Sequence, residues 1–265
     1  MRFLFSHSVI IIMSLTLTSA SAAQTILSYK VEIEIDRQEK RVRGREWIRV
    51  LPGSGVLLTI PLDAHTIDSV LYGDSAVRFR TDERALTIDL PKTTAPFELA
   101  ITYRVDNPRG LTFGAQSVYT GFDTCSWMIC DPDPSKRAPL ELRLIGTGSD
   151  WSVASGVLTA FERESKDRRR FTWTQERAYP AYLYGFVLGP LRSVSAVQNG
   201  TIVEVVSPDV APAELMAYLD AHRGWCGFSR KRQACGFPED DTSPSSSKAP
   251  PRRRRARSRS SEPRN

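Results

Sequence analysis

The stretch YKVEIEID, residues Tyr29–Asp36, sets the pattern from which the fold can be predicted. Every second residue, starting at Tyr29, is apolar, and every residue between them is charged. Successive side chains of a β-strand point to opposite faces, so this period of two predicts a strand with one buried and one exposed face.

Similar segments follow along the chain. A turn at residues 37–40 leads to a second predicted strand, Val42–Leu51, in which Gly44 marks either a bulge or a close backbone approach. The later strand candidates are Val56–Ile60, Ile67–Tyr72, Ala85–Leu90, Phe97–Val105, Leu140–Ile145, Trp151–Ala160, Phe171–Gln175, Ala181–Leu188 and Ile202–Val206. Because almost no helix separates them, we predict a mostly β fold, an antiparallel β-sandwich.

One helix is predicted after the last strand. Ser207 and Asp209 offer N-cap oxygens, and Pro212 suits the first turn. The helix should reach about His222. Its apolar face consists of three residues at helical spacing: Leu215, Met216 and Leu219.

The first 22 residues have the order of a secretory signal peptide. Arg2 precedes a largely apolar stretch, and small residues offer a cleavage site after Ala22. The alternative, a membrane anchor, would require a longer and less polar stretch. We therefore expect an exported protein, periplasmic or secreted, with no membrane span after cleavage.

Residues 224–265 differ in composition from the rest of the chain. From Glu239 onward eight Lys and Arg residues stand against four Asp and Glu, so most of the formal net charge of +6 lies in this tail. Its Arg-, Ser- and Pro-rich composition predicts disorder. The body of the domain is nearly neutral, and we therefore do not expect a nucleic-acid partner.

Residues suited to zinc are scarce. After the signal peptide the only histidines are His65 and His222, and neither begins a His-Glu-x-x-His motif. The spacings within Cys125/Cys130 and within Cys226/Cys235 do not fit a zinc site, which leaves buried or disulfide-linked thiols. Export would permit a Cys125–Cys130 disulfide. We predict no catalytic, cofactor-binding or metal-ligating residue in this chain.

Two features could still carry function. Asp131 and Asp133 could form an acid–base pair, although their flanking prolines favour a rigid turn. The segment Leu111–Pro134 combines aromatic residues, two cysteines and acids with weak strand character. It is either a functional or interface loop or an aromatic plug held by a disulfide.

Several segments together carry a family resemblance. They are VYTGFDTCSWMICDPDP at Val118–Pro134, the strand Ala138–Leu144, the segment Tyr179–Phe186 and the opening Tyr29–Val50 with Gly44 before Trp47. In this order they resemble the N-terminal domain of the aminopeptidase N family of zinc metallopeptidases. The resemblance extends over most of the chain from Gln24 to about His222.

The resemblance implies a β domain at residues 23–206 and, at residues 207–223, the start of a catalytic domain that is missing from this chain. In the family, this β domain packs against the zinc-binding catalytic domain, and its loop supplies a Gln that holds the substrate's free amino group. An alignment through Asp123 places Val118 at that position, whereas a gap would place Gln116 there. Zinc and peptide substrate are thus implied only in a full-length context.

The composition change near Gly224 suggests a shift of reading frame, because GC-rich DNA read out of frame yields Arg, Pro, Ser and Ala. Cys226 and Cys235 would then be accidental, and a deliberate short form with a basic tail is the alternative. The expected function is a non-catalytic N-terminal β domain that helps form the substrate cleft of a metalloaminopeptidase and exposes an apolar patch without its partner. The alternatives are a stand-alone periplasmic binding module using residues 111–134, and an unrelated enzyme using Asp123, Asp131 or Asp133.

Overall fold

The computed structural model describes residues 24–198 and 201–221, so the predicted signal peptide, His222, Cys226, Cys235 and the basic tail lie outside it. Within the described residues the chain forms strands, two single-turn 3₁₀ helices at Thr124–Ser126 and Ala181–Leu183, and a helix α1 at 212–221. The strands are β1 (Thr25–Asp36), β2 (Arg41–Leu51), β3 (Leu57–Pro61), β4 (His65–Tyr72), β5 (Ser75–Ala76), β6 (Phe79–Thr81), β7 (Ala85–Asp89), β8 (Phe97–Asp106), β9 (Leu111–Phe113), β10 (Val118–Thr120), β11 (Arg137–Thr147), β12 (Trp151–Ala154), β13 (Val157–Arg163), β14 (Arg168–Pro180), β15 (Phe186–Gly189), β16 (Arg192–Gln198) and β17 (Thr201–Ser207).

These strands form four sheets. The largest has eight strands in the order β13-β14-β11-β1-β2-β8-β4-β5, and a second has four in the order β12-β15-β10-β9. A three-stranded sheet, β3-β7-β6, and the hairpin β16-β17 complete the set. The mostly β, mainly antiparallel fold class is therefore confirmed.

The large sheet follows the alternation of the sequence. On β1, Tyr29, Val31 and Ile33 are buried, and on β8 every second residue from Phe97 to Val105 is buried. These side chains share one hydrophobic core with Val118 and Phe186 of the four-stranded sheet. Two sheets with a common apolar interior are what the β-sandwich prediction requires.

Three details of the fold differ from the sequence-based expectation. β1 pairs with β11 in parallel, with Tyr29 opposite Leu140, although the other strand pairs whose register is described are antiparallel. The predicted strand Trp151–Ala160 is two strands, because Gly156 adopts φ +100° in the turn between them. The predicted strand Ala181–Leu188 begins as a 3₁₀ turn and becomes extended as a strand only at Phe186.

The described residues divide into two compact units. The first comprises residues 24–193 and 206–212, and the second comprises 194–198, 201–205 and 213–221. In the second unit Leu215 and Leu219 of α1 are buried, as their helical spacing predicts, whereas Met216, the third residue of the predicted apolar face, is exposed. The Ser207 hydroxyl accepts hydrogen bonds from the amides of Asp209 and Val210, both of which precede α1, so Ser207 closes a turn and its predicted N-cap role is wrong. Across residues 24–198 and 201–221, no helix has the length and apolar character needed to cross a membrane.

Candidate functional site

The segment Leu111–Pro134 contains more regular structure than its sequence indicates. It begins as the hairpin β9–β10, with Leu111 opposite Thr120. β10 also pairs with β15 through Val118 and Leu188, and this places the hairpin at the edge of the four-stranded sheet. Strands of three residues are too short for a period of two to be visible in the sequence.

The middle of the segment is a plug in the hydrophobic core. The four consecutive residues Trp127–Cys130 are all wholly buried, which requires protein on every side of the backbone. Cys125 and Cys130 form a disulfide with their Cα atoms 5.2 Å apart. The prediction of an aromatic plug held by a disulfide is thus confirmed for this part of the segment.

Buried polar groups of the large sheet hold the plug in place. Glu46 Oε2 on β2 accepts a hydrogen bond from the backbone N–H of Ile129 at 2.9 Å. The Tyr103 hydroxyl on β8 donates to the carbonyl of Trp127 at 3.0 Å. The Tyr29 hydroxyl on β1 accepts a bond from the N–H of Asp131 at 3.2 Å. Backbone groups that leave regular structure inside a core need such partners.

Glu46 is a carboxyl group inside the core. Burial raises its pKa well above the ordinary value, and the hydrogen bond from Ile129 opposes that shift only in part. Burial, with a smaller contribution from Glu46, likewise raises the pKa of Tyr103. Glu46 Oε1 has no hydrogen-bond partner among the described residues. Burial therefore favours the neutral, protonated form of this carboxyl.

Hydrogen bonds fix the part of the segment that precedes the plug. Thr120 Oγ1 accepts from the N–H of Phe186 at 2.9 Å and donates to its carbonyl at 3.2 Å. Thr124 Oγ1 donates to the carbonyl of Tyr184 at 2.9 Å, which ties the two 3₁₀ turns together. Asp123, between these anchors, adopts φ +67°. The part of the segment before the plug is therefore anchored by side-chain hydrogen bonds at Thr120 and Thr124.

Exposed apolar side chains lie in and beside these two connected turns. Phe122 is 86% exposed, and three further apolar side chains are more than two-fifths exposed. We call these four residues the outer apolar surface: Tyr119, Phe122, Tyr182 and Leu183. Exposure of apolar side chains on a well-anchored backbone is typical of a contact surface.

The structure separates the two residues that the resemblance left as alternatives. Val118 is buried in the core, whereas Gln116 is exposed in the turn between β9 and β10. A Gln that contacts substrate has to reach solvent, so only Gln116 has a suitable position. Whether either residue has that role stays a prediction.

The acidic residues form turns. Asp131 Oδ1 accepts from the N–H of Asp133, and Asp133 Oδ1 accepts from both the N–H and the hydroxyl of Ser135. These bonds from Ser135 hold the pKa of Asp133 below its usual range. Asp123 lies 3.9 Å from Arg109, which forms a closer ion pair with Asp63. The contacts of Asp131 and Asp133 fit the turn predicted for them.

His65, one of the two histidines considered for chemistry, lies at the start of β4. Burial lowers its pKa to about 4, and its ring packs edge-on against Tyr103 at 5.3 Å. In residues 24–198 and 201–221, no three His, Cys, Asp or Glu side chains come together as a metal site would require. That the chain has no metal site stays a prediction.

The fold resembles that of known zinc peptidases. No family model matches the sequence, and no curated protein matches it either. The M1 zinc metallopeptidase from Deinococcus radiodurans superimposes with a TM-score of 0.62 at 20% identity, over 72% of this chain and 49% of that one. The chain has the fold of an aminopeptidase N-terminal domain.

Other solved structures agree on this fold. A two-domain M1 zinc metallopeptidase mutant bound to L-tryptophan gives a TM-score of 0.61 at 18% identity over the same shares of the two chains. Aminopeptidase A of Legionella pneumophila, in complex with aspartic acid, gives 0.69 at 14% identity, over 78% of this chain and 27% of that one. The chain thus spans about half the length of the M1 zinc metallopeptidases and a smaller share of the aminopeptidase A.

Sequence reasoning missed the most unusual residue of this aminopeptidase-like domain. Glu46 belongs to the series Val42, Gly44, Glu46, Ile48 and Val50, which alternates along β2 and is buried throughout. The same period of two that predicts the strand places Glu46 on its inner face. The sequence therefore contained the signal for burial of Glu46. It did not reveal the hydrogen-bond partner of Glu46, because Ile129 lies 83 residues later.

Proposed function

We propose that this chain is the non-catalytic N-terminal β domain of an exported zinc aminopeptidase-like protein, and that it packs against a catalytic domain and helps form the substrate cleft. The observation that carries the proposal is the likeness to M1 zinc metallopeptidases over 72% of this chain but only 49% of the first of them. Zinc and the hydrolytic step then belong to the catalytic domain.

The outer apolar surface supports the packing part of the proposal. Phe122 exposes most of its ring although the backbone beside it is anchored through Thr120 and Thr124. Burial of such a side chain against a partner is favourable by roughly 25 cal/mol of free energy per Å² of apolar surface. Gln116, in the β9–β10 turn, is the candidate for contact with the free amino group of a peptide substrate.

The disulfide supports the export part. Cys125–Cys130 closes a short loop next to the core, and such bonds persist in oxidising compartments rather than in the cytosol. Together with the signal-peptide pattern of residues 1–22, it favours a periplasmic or secreted protein.

An aminopeptidase assay tests the proposal. The purified chain, supplied with zinc and an aminoacyl-p-nitroanilide, should release no nitroaniline above the blank. Co-expressed with the proposed catalytic domain, it should co-purify with that domain and support zinc-dependent release. Zinc-dependent hydrolysis by the chain alone, lost in Asp131→Asn or Asp133→Asn, would instead establish an enzyme of another mechanism.

The exposed Phe122 also favours a second function, a stand-alone binding module of the periplasm that uses residues 111–134. Sedimentation analysis distinguishes the two. A binding module should remain monomeric and monodisperse at high concentration, whereas a domain separated from its partner should self-associate through the outer apolar surface. The Phe122→Ser variant should remove such self-association.

A further inference from the structure

A second feature, away from the outer apolar surface, is a cavity of about 450 Å³ beside the three-stranded sheet. One wall consists of the four consecutive residues Leu57–Ile60 of β3. Side chains alternate between the two faces of a strand, so four consecutive residues can border one cavity only along the edge of the strand. The cavity is therefore a slot along the backbone of β3, which is an edge strand.

Two residues of β3 direct their backbone N–H and C=O groups into this slot. The N–H of Leu90 bonds to the carbonyl of Val56 at 2.8 Å, and the N–H of Leu62 bonds to the carbonyl of Arg84 at 2.7 Å. Since hydrogen-bonded and non-bonded pairs alternate in an antiparallel ladder, the even-numbered residues of β3 face β7. Leu57 and Thr59 then direct their N–H and C=O groups outward, where no described residue bonds to them.

The opposite wall is also an unpaired strand edge. Thr25 and Ile26 at the start of β1 line the cavity and pair with β2 on one side only. On the other side, the pairing of β1 with β11 begins at Tyr29, opposite Leu140. The slot thus runs between two strand edges that each have backbone groups available for a further strand.

Positive charge lies at the rim of the slot near the start of β11. Lys136 and Arg137 line the cavity and are exposed, and Arg137 forms no ion pair within residues 24–198 and 201–221. The Tyr29 hydroxyl accepts a bond from Asp131 and keeps its own proton available to an acceptor. Asp131 also lines the cavity, and the Lys136 ammonium acts on the nearby Asp133 carboxylate, so Arg137 is the cation that this rim leaves without an acidic partner in residues 24–198 and 201–221. This end suits a carboxylate.

We propose that the slot binds an extended peptide, which adds to β3 as a further strand and places its C-terminal carboxylate near Lys136 and Arg137. Main-chain hydrogen bonds from Leu57 and Thr59 supply affinity that tolerates many sequences, and the charged rim supplies direction. Residues 24–138 alone carry this inference, and it does not depend on the likeness to zinc peptidases.

Fluorescence anisotropy with a labelled peptide tests the proposal. The probe is fluorescein-Thr-Val-Thr-Val-Thr-Val with a free C-terminus, titrated with the purified full chain. We expect saturable binding that weakens about tenfold when the C-terminus is an amide, because a charge-assisted contact is lost. A probe with N-methyl groups on alternate residues, placed on the face that pairs with β3, should fail to bind, because it lacks the strand donors.

Matched variants locate the site. Thr59→Pro removes an N–H that faces the slot and should reduce binding at least about tenfold, while Thr59→Val keeps the N–H and should bind as the wild type does. Arg137→Glu should weaken binding of the free-acid probe, whereas Arg163→Glu, on the far edge strand β13, should not. Circular dichroism confirms that each variant is folded.

Three outcomes would overturn the inference. The first is absence of saturable binding to the wild type. The second is equal binding of the N-methylated probe, which would mean that no strand forms. The third is the finding that the chain forms a dimer, which the probe dissociates and which Thr59→Pro abolishes. The slot would then serve strand exchange between two copies of the chain.

Discussion

Glu46 Oε2 accepts a hydrogen bond from the backbone N–H of Ile129 at 2.9 Å, in a region where both residues are wholly buried. This bond joins β2 of the large sheet to the disulfide-linked plug. The plug carries the outer apolar surface on one side and leads toward the slot at Asp131 on the other. A carboxyl group buried in the core therefore supports both proposed contact regions.

The raised pKa of Glu46 predicts that stability falls as pH rises. The folded chain keeps the Glu46 proton while the unfolded chain loses it above about pH 4.3. The contribution of Glu46 to the free energy of unfolding is thus complete below that pH. It decreases as the pH rises toward the folded pKa, by up to about 1.4 kcal/mol per pH unit. Glu46→Gln should flatten the curve in urea unfolding between pH 7 and 9.

That window avoids an opposing group. The pKa of His65, lowered to about 4 by burial, makes stability rise with pH up to the unfolded value of about 6.5. Above pH 7 its contribution is nearly constant. Glu46→Ala serves as the control, because it leaves the N–H of Ile129 without a partner and should cost about 2 to 4 kcal/mol at low pH, where the Glu46 contribution is complete. Since it also removes the titrating group, its stability curve should be as flat as that of Glu46→Gln. Parallel slopes for wild type and Glu46→Gln would contradict the assignment.

Gly44 offers a test of packing beneath the plug. A Cβ at this position would overlap the ring of Tyr103, which is itself buried and hydrogen-bonded to Trp127. Gly44→Ala should therefore destabilise the chain by about 1 to 3 kcal/mol in urea unfolding. The matched control is Gly121→Ala, where a Cβ meets no atom within 4 Å and φ is not positive.

A second-site change checks the cause. Tyr103→Leu removes the ring and should cost less in the Gly44→Ala background than in the wild type, because the clash disappears. Additive costs of the two changes would show that Gly44 is required for another reason.

Much of this fold could be predicted from the sequence, and the exceptions have physical causes. The alternation along Tyr29–Asp36 predicts β1 because one face is buried and the other is solvated. The parallel pairing of β1 with β11 could not be predicted in this way, since alternation describes one strand and says nothing of its neighbour. The division at Gly156 was missed because Val153 before it and Val157 and Leu158 after it continue the apolar character of a strand.

The candidate site was predicted less completely than the fold. The cluster of aromatic residues and cysteines did mark residues 111–134, and Trp127 fills the core as the plug prediction requires. The slot beside β3 was not predicted, because it joins residues of β1, β3 and β11 that are far apart in the sequence. Only the folded chain brings those edges together.

The disulfide is expected to contribute modestly to the free energy of unfolding. Cys125 and Cys130 are separated by five positions, and a loop of this size gives about 2 kcal/mol in the chain-entropy account. The double variant Cys125→Ala, Cys130→Ala should therefore stay folded and lose about that amount in urea unfolding. Reduction of the wild type should give the same loss. A variant that does not fold would show that the bond is essential to the plug.

The outer apolar surface should be detectable with a hydrophobic dye. Tyr119→Ser with Phe122→Ser should lower the fluorescence of bound anilinonaphthalene sulfonate, while the free energy of unfolding changes by no more than about 0.5 kcal/mol per site. Val157→Ser is the matched control, since Val157 is an exposed apolar residue on the separate strand β13. Equal dye binding by all three proteins would remove the support for a contact surface at Phe122.

The central claim is that this domain belongs with a zinc-binding catalytic domain. The most direct test is to sequence the gene through codon 222 and beyond and to translate all three forward frames. We predict a frame that encodes Gly-x-Met-Glu-Asn followed by His-Glu-x-x-His. If no frame encodes these motifs, the domain acts without a catalytic half in the same gene, and the account is contradicted.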